Sequence, residues 1–137
     1  MTSRSPSRGG AVEYRVDDRG LEAGAFLAFV NQIWPGEYDV EKTRAALAKT
    51  LNFTAYDGER LAGCLRILTD GCFFGTITEL LVLPAYQRRV VGSMLLQLTR
   101  EAAPTLLYFG AQPGAEGFYE RNGYRRSLPS YELRPLF

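Results

Sequence analysis

The sequence predicts an α/β fold in which helices cover both faces of one mixed sheet. Three apolar runs, residues 51–56, 61–68 and 73–83, follow one another and are separated by Asp-Gly pairs, which favour tight turns between antiparallel strands. A helical pattern and another short apolar run come next, which is the order of a parallel strand–helix–strand crossover. The predicted order is β-α-α-β-β-β-α-β-α-β-β, with about four helices around roughly six or seven strands.

The first part of the chain contributes a strand and two helices. Tyr14 to Val16 is the short first strand. Apolar residues recur at helical spacing from Leu21 to Ile33, and Trp34-Pro35-Gly36 ends this pattern. Val40 to Lys49 repeats the spacing, so we expect a second, shorter amphipathic helix.

The Asp70-Gly71 pair sets the register of the central hairpin if the turn has only these two residues. Thr69 then faces Cys72, and Cys64 faces Ile77. The two cysteines are not cross-strand partners in this register, and two cysteines do not make a disulfide framework. We therefore expect free thiols.

The last third of the chain predicts a strand, a helix and two closing strands. Pro104 ends the central helix, and the Asn122-Gly123 pair is a helix C-terminal signal. The predicted elements are a strand at 106–109, a helix at 114–122, and strands at 124–126 and 131–136.

Length and composition indicate one globular domain. Residues 1–10 are rich in Ser, Arg, Pro and Gly, so we expect a disordered tail there and a single domain at 11–137. With 16 Lys and Arg against 15 Asp and Glu, the net charge is +1, so nothing draws the chain to nucleic acid or to an acidic membrane. No apolar run is long enough to span a membrane and the first ten residues lack a signal-peptide core, so the expected compartment is the cytoplasm.

The chain has no histidine, which excludes several kinds of catalysis. Ser-His-Asp and Cys-His systems, HExxH zinc sites and histidine acid–base catalysis all need an imidazole. No metal is therefore expected. Any chemistry must depend on carboxylates, tyrosines, backbone amides or the reactivity of the substrate.

The stretch from Leu80 to Leu96 carries the strongest functional signal. It begins as a buried-strand pattern that Pro84 ends, and apolar residues at helical spacing follow from Val91 onwards. The loop between them holds Gln87 and two arginines, beside the free N–H groups and the partial positive charge of a helix start. This arrangement predicts a pyrophosphate site. Neither GxGxxG nor GxxxxGK[ST] is present, which disfavours a dinucleotide fold or a P-loop.

Two motifs in the second half of the chain belong together. The first is Gln87-Arg88-Arg89-Val90-Val91-Gly92, and the second is Phe118-Tyr119-Glu120-Arg121-Asn122-Gly123-Tyr124. They resemble the GNAT family of acetyl-coenzyme-A-dependent N-acetyltransferases, which has Q/R-x-x-G-x-G/A after the fourth strand and a late helix with Phe-Tyr before a Gly-aromatic pair. The strong match runs from Thr76 to Tyr124, and the element order extends it over nearly the whole chain. A GNAT-like fold is implied.

The resemblance implies acetyl-CoA as cosubstrate. Backbone amides from Arg88 to Ser93 would hold the pyrophosphate, with Gln87 and the arginine side chains assisting. The backbone of residues 81–83 would pair with the pantetheine arm. The implied cofactor-binding residues are Leu81, Val82, Leu83, Gln87, Arg88, Arg89, Val90, Val91, Gly92 and Ser93.

The resemblance also implies that a primary amine, of a small molecule or a peptide, attacks the thioester directly in a ternary complex. Tyr119 stands where the family has its general acid, poised to protonate the departing thiolate. Glu79 is the candidate base, directly or through water, and an exposed strand carboxylate is the alternative for it. Trp34 and Tyr38 lie in the connection that walls the family's acceptor pocket, and core packing is the alternative for Trp34.

Val90 departs from the signature, which has glycine at this position. Glycine allows a positive φ and a close backbone approach, whereas a valine at positive φ would be strained by ~1–3 kcal/mol. Three explanations are open: a helical φ that tolerates valine, weaker cofactor binding, or a substituted residue. We expect the first, because the position belongs to the opening helical turn.

Two other functions are open at the level of sequence. A non-catalytic acyl-CoA-binding or regulatory domain could keep the fold without turnover. A nucleic-acid-binding domain that uses Arg121, Arg125 and Arg126 is disfavoured by the net charge of +1. No membrane partner is expected, and a homodimer is an assembly that is common in the family.

Overall fold

The computed structural model describes residues 3–4 and 11–136 and builds them around one sheet. The elements are β1 (Ser3–Arg4), β2 (Glu13–Arg15), α1 (Ala23–Asn31), α2 (Val40–Lys49), β3 (Leu51–Asp57), β4 (Arg60–Thr69), β5 (Phe74–Val82), a 3-10 turn (Pro84–Tyr86), α3 (Val91–Ala102), β6 (Leu106–Leu107) and α4 (Glu116–Arg121). The six strands lie in sequence order, antiparallel except for the parallel pair β5–β6. Within these residues the predicted α/β fold, with a mixed sheet and four helices, is confirmed.

The predicted disordered tail is only partly described. Residues 3–4 form β1, which pairs with β2 through Ser3↔Arg15 and Arg4↔Tyr14. Residues 1–2 and 5–10 lie outside the described residues, so their disorder stays a prediction.

The two closing strands predicted at 124–126 and 131–136 are wrong, because the described chain after α4 has no regular structure. Tyr131 and Leu133 are each 95% exposed, so the alternation of apolar and polar residues there has no core to face. Pro135 also removes a backbone N–H that a sheet ladder would need. The strand predicted at 106–109 is shorter than expected and ends at Leu107.

The central hairpin has a longer turn than the two residues considered in the sequence. Thr69 pairs with Gly75, and Oδ1 of Asp70 accepts hydrogen bonds from the amides of residues 72, 73 and 74 at 2.8, 2.8 and 3.1 Å. The Asp70 carboxylate therefore organises the turn, and its three backbone hydrogen bonds lower its pKa. A bulge between Arg66 and Ile67 shifts the register again along the strands.

Both cysteines are free, as predicted. Because of the longer turn and the bulge together, Cys64 faces Leu81 and not Ile77. Cys64 is fully buried, and burial raises the pKa of its thiol, so it behaves as a small apolar core residue. Cys72 is exposed in the hairpin turn.

Helix α3 packs closely on the sheet because β4 has a glycine beneath it. A Cβ on Gly63 would lie 2.9 Å from Cγ1 of Val91 and 3.2 Å from Cδ1 of Leu95. Both side chains are buried, at 1% and 0% exposure, and each contributes ~1.5–3 kcal/mol through burial. The start of α3 is thereby fixed against the sheet.

Helices α1 and α2 cover the opposite face of the sheet. Leu81 lines a cavity with Phe26 of α1, whereas its neighbour Val82 pairs with Gly63 under α3. Helix α2 has the predicted bounds because the Asp39 carboxylate accepts a hydrogen bond from the Lys42 N–H at 2.9 Å and caps the helix. None of the helices in the described ranges is long and apolar enough to cross a membrane.

Candidate active site

The sheet opens between β5 and β6. The two strands pair only through Phe74↔Leu106 and Gly75↔Leu107, and the N–H of Tyr108 donates to the Gly75 carbonyl at 3.0 Å. From residue 76 onwards, no strand of the described chain pairs with this side of β5. The edge is therefore free to accept an extended ligand as an added strand.

Backbone alternation decides which groups of β5 face this opening. The N–H of Leu83 donates to the carbonyl of Ala62 at 2.9 Å, so the backbone groups of Leu83 and Leu81 point toward β4. Those of Leu80 and Val82 point into the opening. The predicted pairing segment 81–83 thus presents its main chain to a ligand through Val82, while Leu81 and Leu83 have buried side chains.

The opening leads to an uncapped helix start. No side chain caps α3, and its first backbone bond runs from the N–H of Met94 to the carbonyl of Val90 at 2.8 Å. Among the described residues, the amides of Val91, Gly92 and Ser93 are left without an acceptor. Free N–H groups at the positive end of a helix form an anion site. We call this helix start, with the loop amides from residue 88 and the open edge of β5 at 80–82, the backbone cradle.

Val90 is not strained. Its φ is −81° and its ψ is 1°, so the expectation of a φ that tolerates valine is confirmed. Its side chain is 68% exposed and points away from the core. The positive φ of the loop lies two residues earlier, at Arg88, where φ is 55°. A non-glycine residue in this region is uncommon and costs ~1–3 kcal/mol.

The polar side chains of the loop have distinct positions. The Gln87 Nε2 donates to the Val82 carbonyl at 3.0 Å, so this side chain ties the loop to the end of β5. The guanidinium of Arg89 lies over the ring of Tyr86, 5.0 Å from its centroid, and the Tyr86 hydroxyl donates to Asp57. Arg88 is exposed at the tip of the loop.

Helix α4 brings the second motif onto the first. A Cβ on Gly92 would lie 3.1 Å from the ring of Phe118, so glycine lets this ring rest on the first turn of α3. Tyr119 follows, in edge contact with Phe109 at 5.0 Å and with Tyr124 at 6.1 Å between ring centroids. Burial raises the pKa of Tyr119, so its phenol stays protonated at neutral pH.

Tyr124 holds α4 against α3. Its hydroxyl donates to the Leu96 carbonyl at 3.0 Å, and burial raises its pKa to about 12. This anchoring role was not predicted, although the aromatic residue after Asn122-Gly123 was part of the motif. Tyr119 is thereby held at the side of a cavity of about 1030 Å³ between β5, β6 and the C-terminal segment.

A second cavity, of about 460 Å³, lies between α1, α2 and the strands β4 and β5. We call it the aromatic cavity because Trp34 and Tyr38 line it. That these two residues wall an acceptor pocket stays a prediction. Trp34 is 48% exposed and Tyr38 41%, so core packing does not explain Trp34. The remaining lining residues are Phe26, Leu27, Val30, Glu37, Asp39, Lys42, Thr43, Ala46, Arg66, Glu79 and Leu81.

Glu79 is neither exposed nor alone. Its two carboxylate oxygens accept hydrogen bonds from Nε and Nη2 of Arg66 at 2.5 and 3.1 Å, and the two side chains are 15% and 14% exposed. Arg66 also lies over the ring of Phe26, 5.4 Å from the centroid. The sequence did not predict Arg66, because only the bulged register places it opposite Glu79. Tyr119 and Glu79 therefore line different cavities near the open edge of β5.

Comparison with known families decides the class of this site. A family model described as an acetyltransferase (GNAT) domain matches residues 49–126, more than half of the chain, and spans both motifs. The chain belongs to the GNAT family. It is an acyltransferase, with the predicted family and enzyme class confirmed. Among proteins with curated descriptions, none matches this chain.

Solved structures share this GNAT fold at low sequence identity. A protein from meticillin-resistant Staphylococcus aureus has a TM-score of 0.74 and 20% identity, over 90% of this chain and 99% of that one. A GNAT-family acetyltransferase from Streptococcus pneumoniae has a TM-score of 0.69 and 22% identity, over 90% and 99%. The aminoglycoside N-acetyltransferase AAC(6')-Iy in complex with CoA has a TM-score of 0.69 and 15% identity, over 95% and 98%. At these identities the likeness shows the fold.

Proposed function

We propose that this protein transfers an acetyl group from acetyl-CoA directly to a primary amine, of a small molecule or a peptide, in a ternary complex. The observation that carries the proposal is the backbone cradle. The open edge of β5 and the free amides at the start of α3 form one run of main-chain groups. Such a run suits a ligand that joins an extended amide-bearing arm to a diphosphate.

The cradle residues would hold acetyl-CoA as follows. Val82 would pair with the pantetheine arm along the edge, with Leu81 and Leu83 keeping the strand in place. The amides from Arg88 to Ser93 would bind the pyrophosphate, and the Arg88 and Arg89 guanidinium groups would add positive charge near it. Gln87 would act through its hydrogen bond to the Val82 carbonyl, which fixes the loop. The AAC(6')-Iy structure with CoA supports this choice of ligand.

Tyr119 would act as the general acid. Bound acetyl-CoA supplies a thioester, whose acetyl carbon gains a bond to the amine nitrogen as its bond to sulfur breaks. The departing thiolate needs a proton, and a thiol has a pKa of ~8.5. Burial raises the pKa of Tyr119, so its phenol is protonated at neutral pH and has a proton to donate. No residue of the chain has to form a covalent intermediate.

Glu79 would receive the proton that the amine loses, through a water molecule. Both of its oxygens already accept hydrogen bonds from Arg66, so only their remaining lone pairs can accept another. Trp34 and Tyr38 would contact the body of the amine.

Two measurements test the proposal in sequence. Thermal unfolding with acetyl-CoA, CoA and NADH should show stabilisation by the first two only. Thiol release from acetyl-CoA over a panel of amines should then show turnover. Stabilisation without release from any amine would favour the non-catalytic acyl-CoA-binding alternative, and stabilisation by NADH alone would contradict both.

A further inference from the structure

The aromatic cavity has walls that are fixed before any ligand enters. The hydroxyl of Tyr38 donates to the Trp34 carbonyl at 2.6 Å, and the N–H of Gly36 donates to Oδ1 of Asn31 at 2.9 Å. A Cβ on Gly36 would lie 3.3 Å from the Tyr38 ring, so glycine gives the ring its place over the turn. The Tyr38 ring is therefore held in place beside the half-exposed Trp34 side chain, and little order has to be gained at this ring on binding.

The interior of the cavity is apolar. Phe26, Leu27, Val30 and Leu81 line it, and each of these side chains is at most 9% exposed. Arg66 does not break this character, because its guanidinium is engaged by Glu79 and lies over the Phe26 ring. A volume of about 460 Å³ suits a compact molecule.

The charges around the cavity nearly cancel. Five charged side chains line it, three acidic and two basic, so the net charge is −1. Glu79 is paired with Arg66, and the Asp39 carboxylate caps α2. Lys42 adds a positive charge at the wall. Glu37 is the third acidic side chain of the lining. The described residues show neither an ion pair nor a hydrogen bond for its carboxylate.

We propose that the acceptor is a compact monoamine with an aromatic or other apolar body, and that polycationic amino sugars are poor acceptors. The inference rests on the proposed acetyl transfer. The rings of Trp34 and Tyr38 would cover the apolar body, and a single ammonium group matches the net charge of −1. A molecule with several ammonium groups would find too few carboxylates and would meet the positive charge of Lys42.

A fluorescence titration tests binding without turnover, because Trp34 is the only tryptophan of the chain. We expect 2-phenylethylamine to change the Trp34 emission saturably, and kanamycin to need at least about tenfold higher concentration, or ~1.4 kcal/mol. Equal or tighter binding of kanamycin would overturn the inference. So would the lack of any saturable change with 2-phenylethylamine.

Kinetics separate this inference from the proposed function. With 2-phenylethylamine as acceptor, Trp34→Ala should raise KM at least about tenfold, whereas Trp34→Phe should keep most of the affinity. Phe73→Ala, which removes an 83% exposed ring of the hairpin turn, is the matched control and should change nothing.

Turnover of kanamycin but not of 2-phenylethylamine would contradict the inference and leave acetyl transfer standing. Saturable binding of 2-phenylethylamine with no thiol release from any amine would contradict acetyl transfer and the role of this amine as acceptor, and would leave only the binding preference of the aromatic cavity standing.

Discussion

The backbone cradle and the aromatic cavity are built from different groups. The cradle presents main-chain amides, and the side chain of Val90 within it points to solvent. The cavity presents side chains, among them the Tyr38 ring, which a hydrogen bond to the Trp34 backbone holds, and the ion pair of Arg66 and Glu79. Substitutions in the cradle should therefore matter where they change the backbone, the positive charge of Arg88 and Arg89 or the hydrogen bond of Gln87, and should matter little elsewhere. Substitutions in the cavity should change which amine is accepted.

Tyr119→Phe should have the largest effect on activity. Tyr119 is the proposed general acid and belongs to neither the backbone cradle nor the aromatic cavity. We expect kcat to fall about 10²–10⁴-fold through loss of the acid proton. The acetyl-CoA dissociation constant should stay constant, since phenylalanine keeps the ring contacts with Phe109 and Phe118. Thiol release and calorimetry measure the two quantities. Tyr56→Phe, which removes a phenol hydroxyl that donates to Asp18 outside both binding regions, is the control. An unchanged rate in Tyr119→Phe would remove this residue from the acid role.

Glu79→Gln should lower kcat/KM for the amine about ten- to hundredfold and leave acetyl-CoA affinity unchanged. Glutamine keeps the shape and one acceptor oxygen for Arg66, but it cannot take up the amine proton. Thiol release against amine concentration, with calorimetry for acetyl-CoA, checks both halves. Glu41→Gln, which breaks the exposed pair with Arg44, is the matched control. If acetyl-CoA affinity fell as far as kcat/KM, cradle and cavity would not be independent.

Tyr124→Phe should affect stability, most clearly at alkaline pH. Burial raises the folded-state pKa of Tyr124 to about 12, against ~10 in an unfolded chain. Its contribution is therefore complete below pH ~10 and is lost as the pH rises from there toward 12. We expect the variant to lose ~1 kcal/mol at pH 8, through the hydrogen bond to Leu96, and to decline less steeply above pH 10. Urea unfolding at pH 8, 10 and 11 measures this, and parallel declines for the two proteins would contradict it.

Val90→Gly should have the smallest effect. The valine already has a negative φ, and its amide is part of the cradle with or without the side chain. We expect acetyl-CoA binding to tighten by about threefold or less, or to stay unchanged, because only exposed bulk near the loop is removed. Calorimetry on Val90→Gly beside Val90→Ala checks this. Clearly weaker binding in the glycine variant would show that the side chain itself contacts the ligand.

The elements that carry strong local signals were predictable from the sequence. Helix α2 has its predicted bounds because Asp39 caps it and the apolar spacing is regular. The cradle was predictable because Pro84 and the change of apolar spacing mark the strand, the loop and the helix. The unstrained Val90 followed from its place in the opening turn.

Features that depend on register or on a distant partner were not predictable. Arg66 meets Glu79 only because β5 carries an extra residue at the bulge, and no local pattern signals it. An Asp-Gly pair alone favours a two-residue turn. The Asp70 carboxylate accepts hydrogen bonds from three backbone amides and so stabilises a longer turn. Tyr131 to Leu136 has a strand-like alternation, yet a strand also needs a neighbour, and β6 ends after two residues.

Amide-resolved hydrogen exchange with and without CoA tests the central claim, that main-chain groups bind the donor. We expect protection of the amides of Leu80 and Val82 and of the amides from Arg88 to Ser93. The amides of Leu81 and Leu83, which face β4, should change little. Unchanged exchange at the start of α3, with protection elsewhere in the chain, would contradict the account.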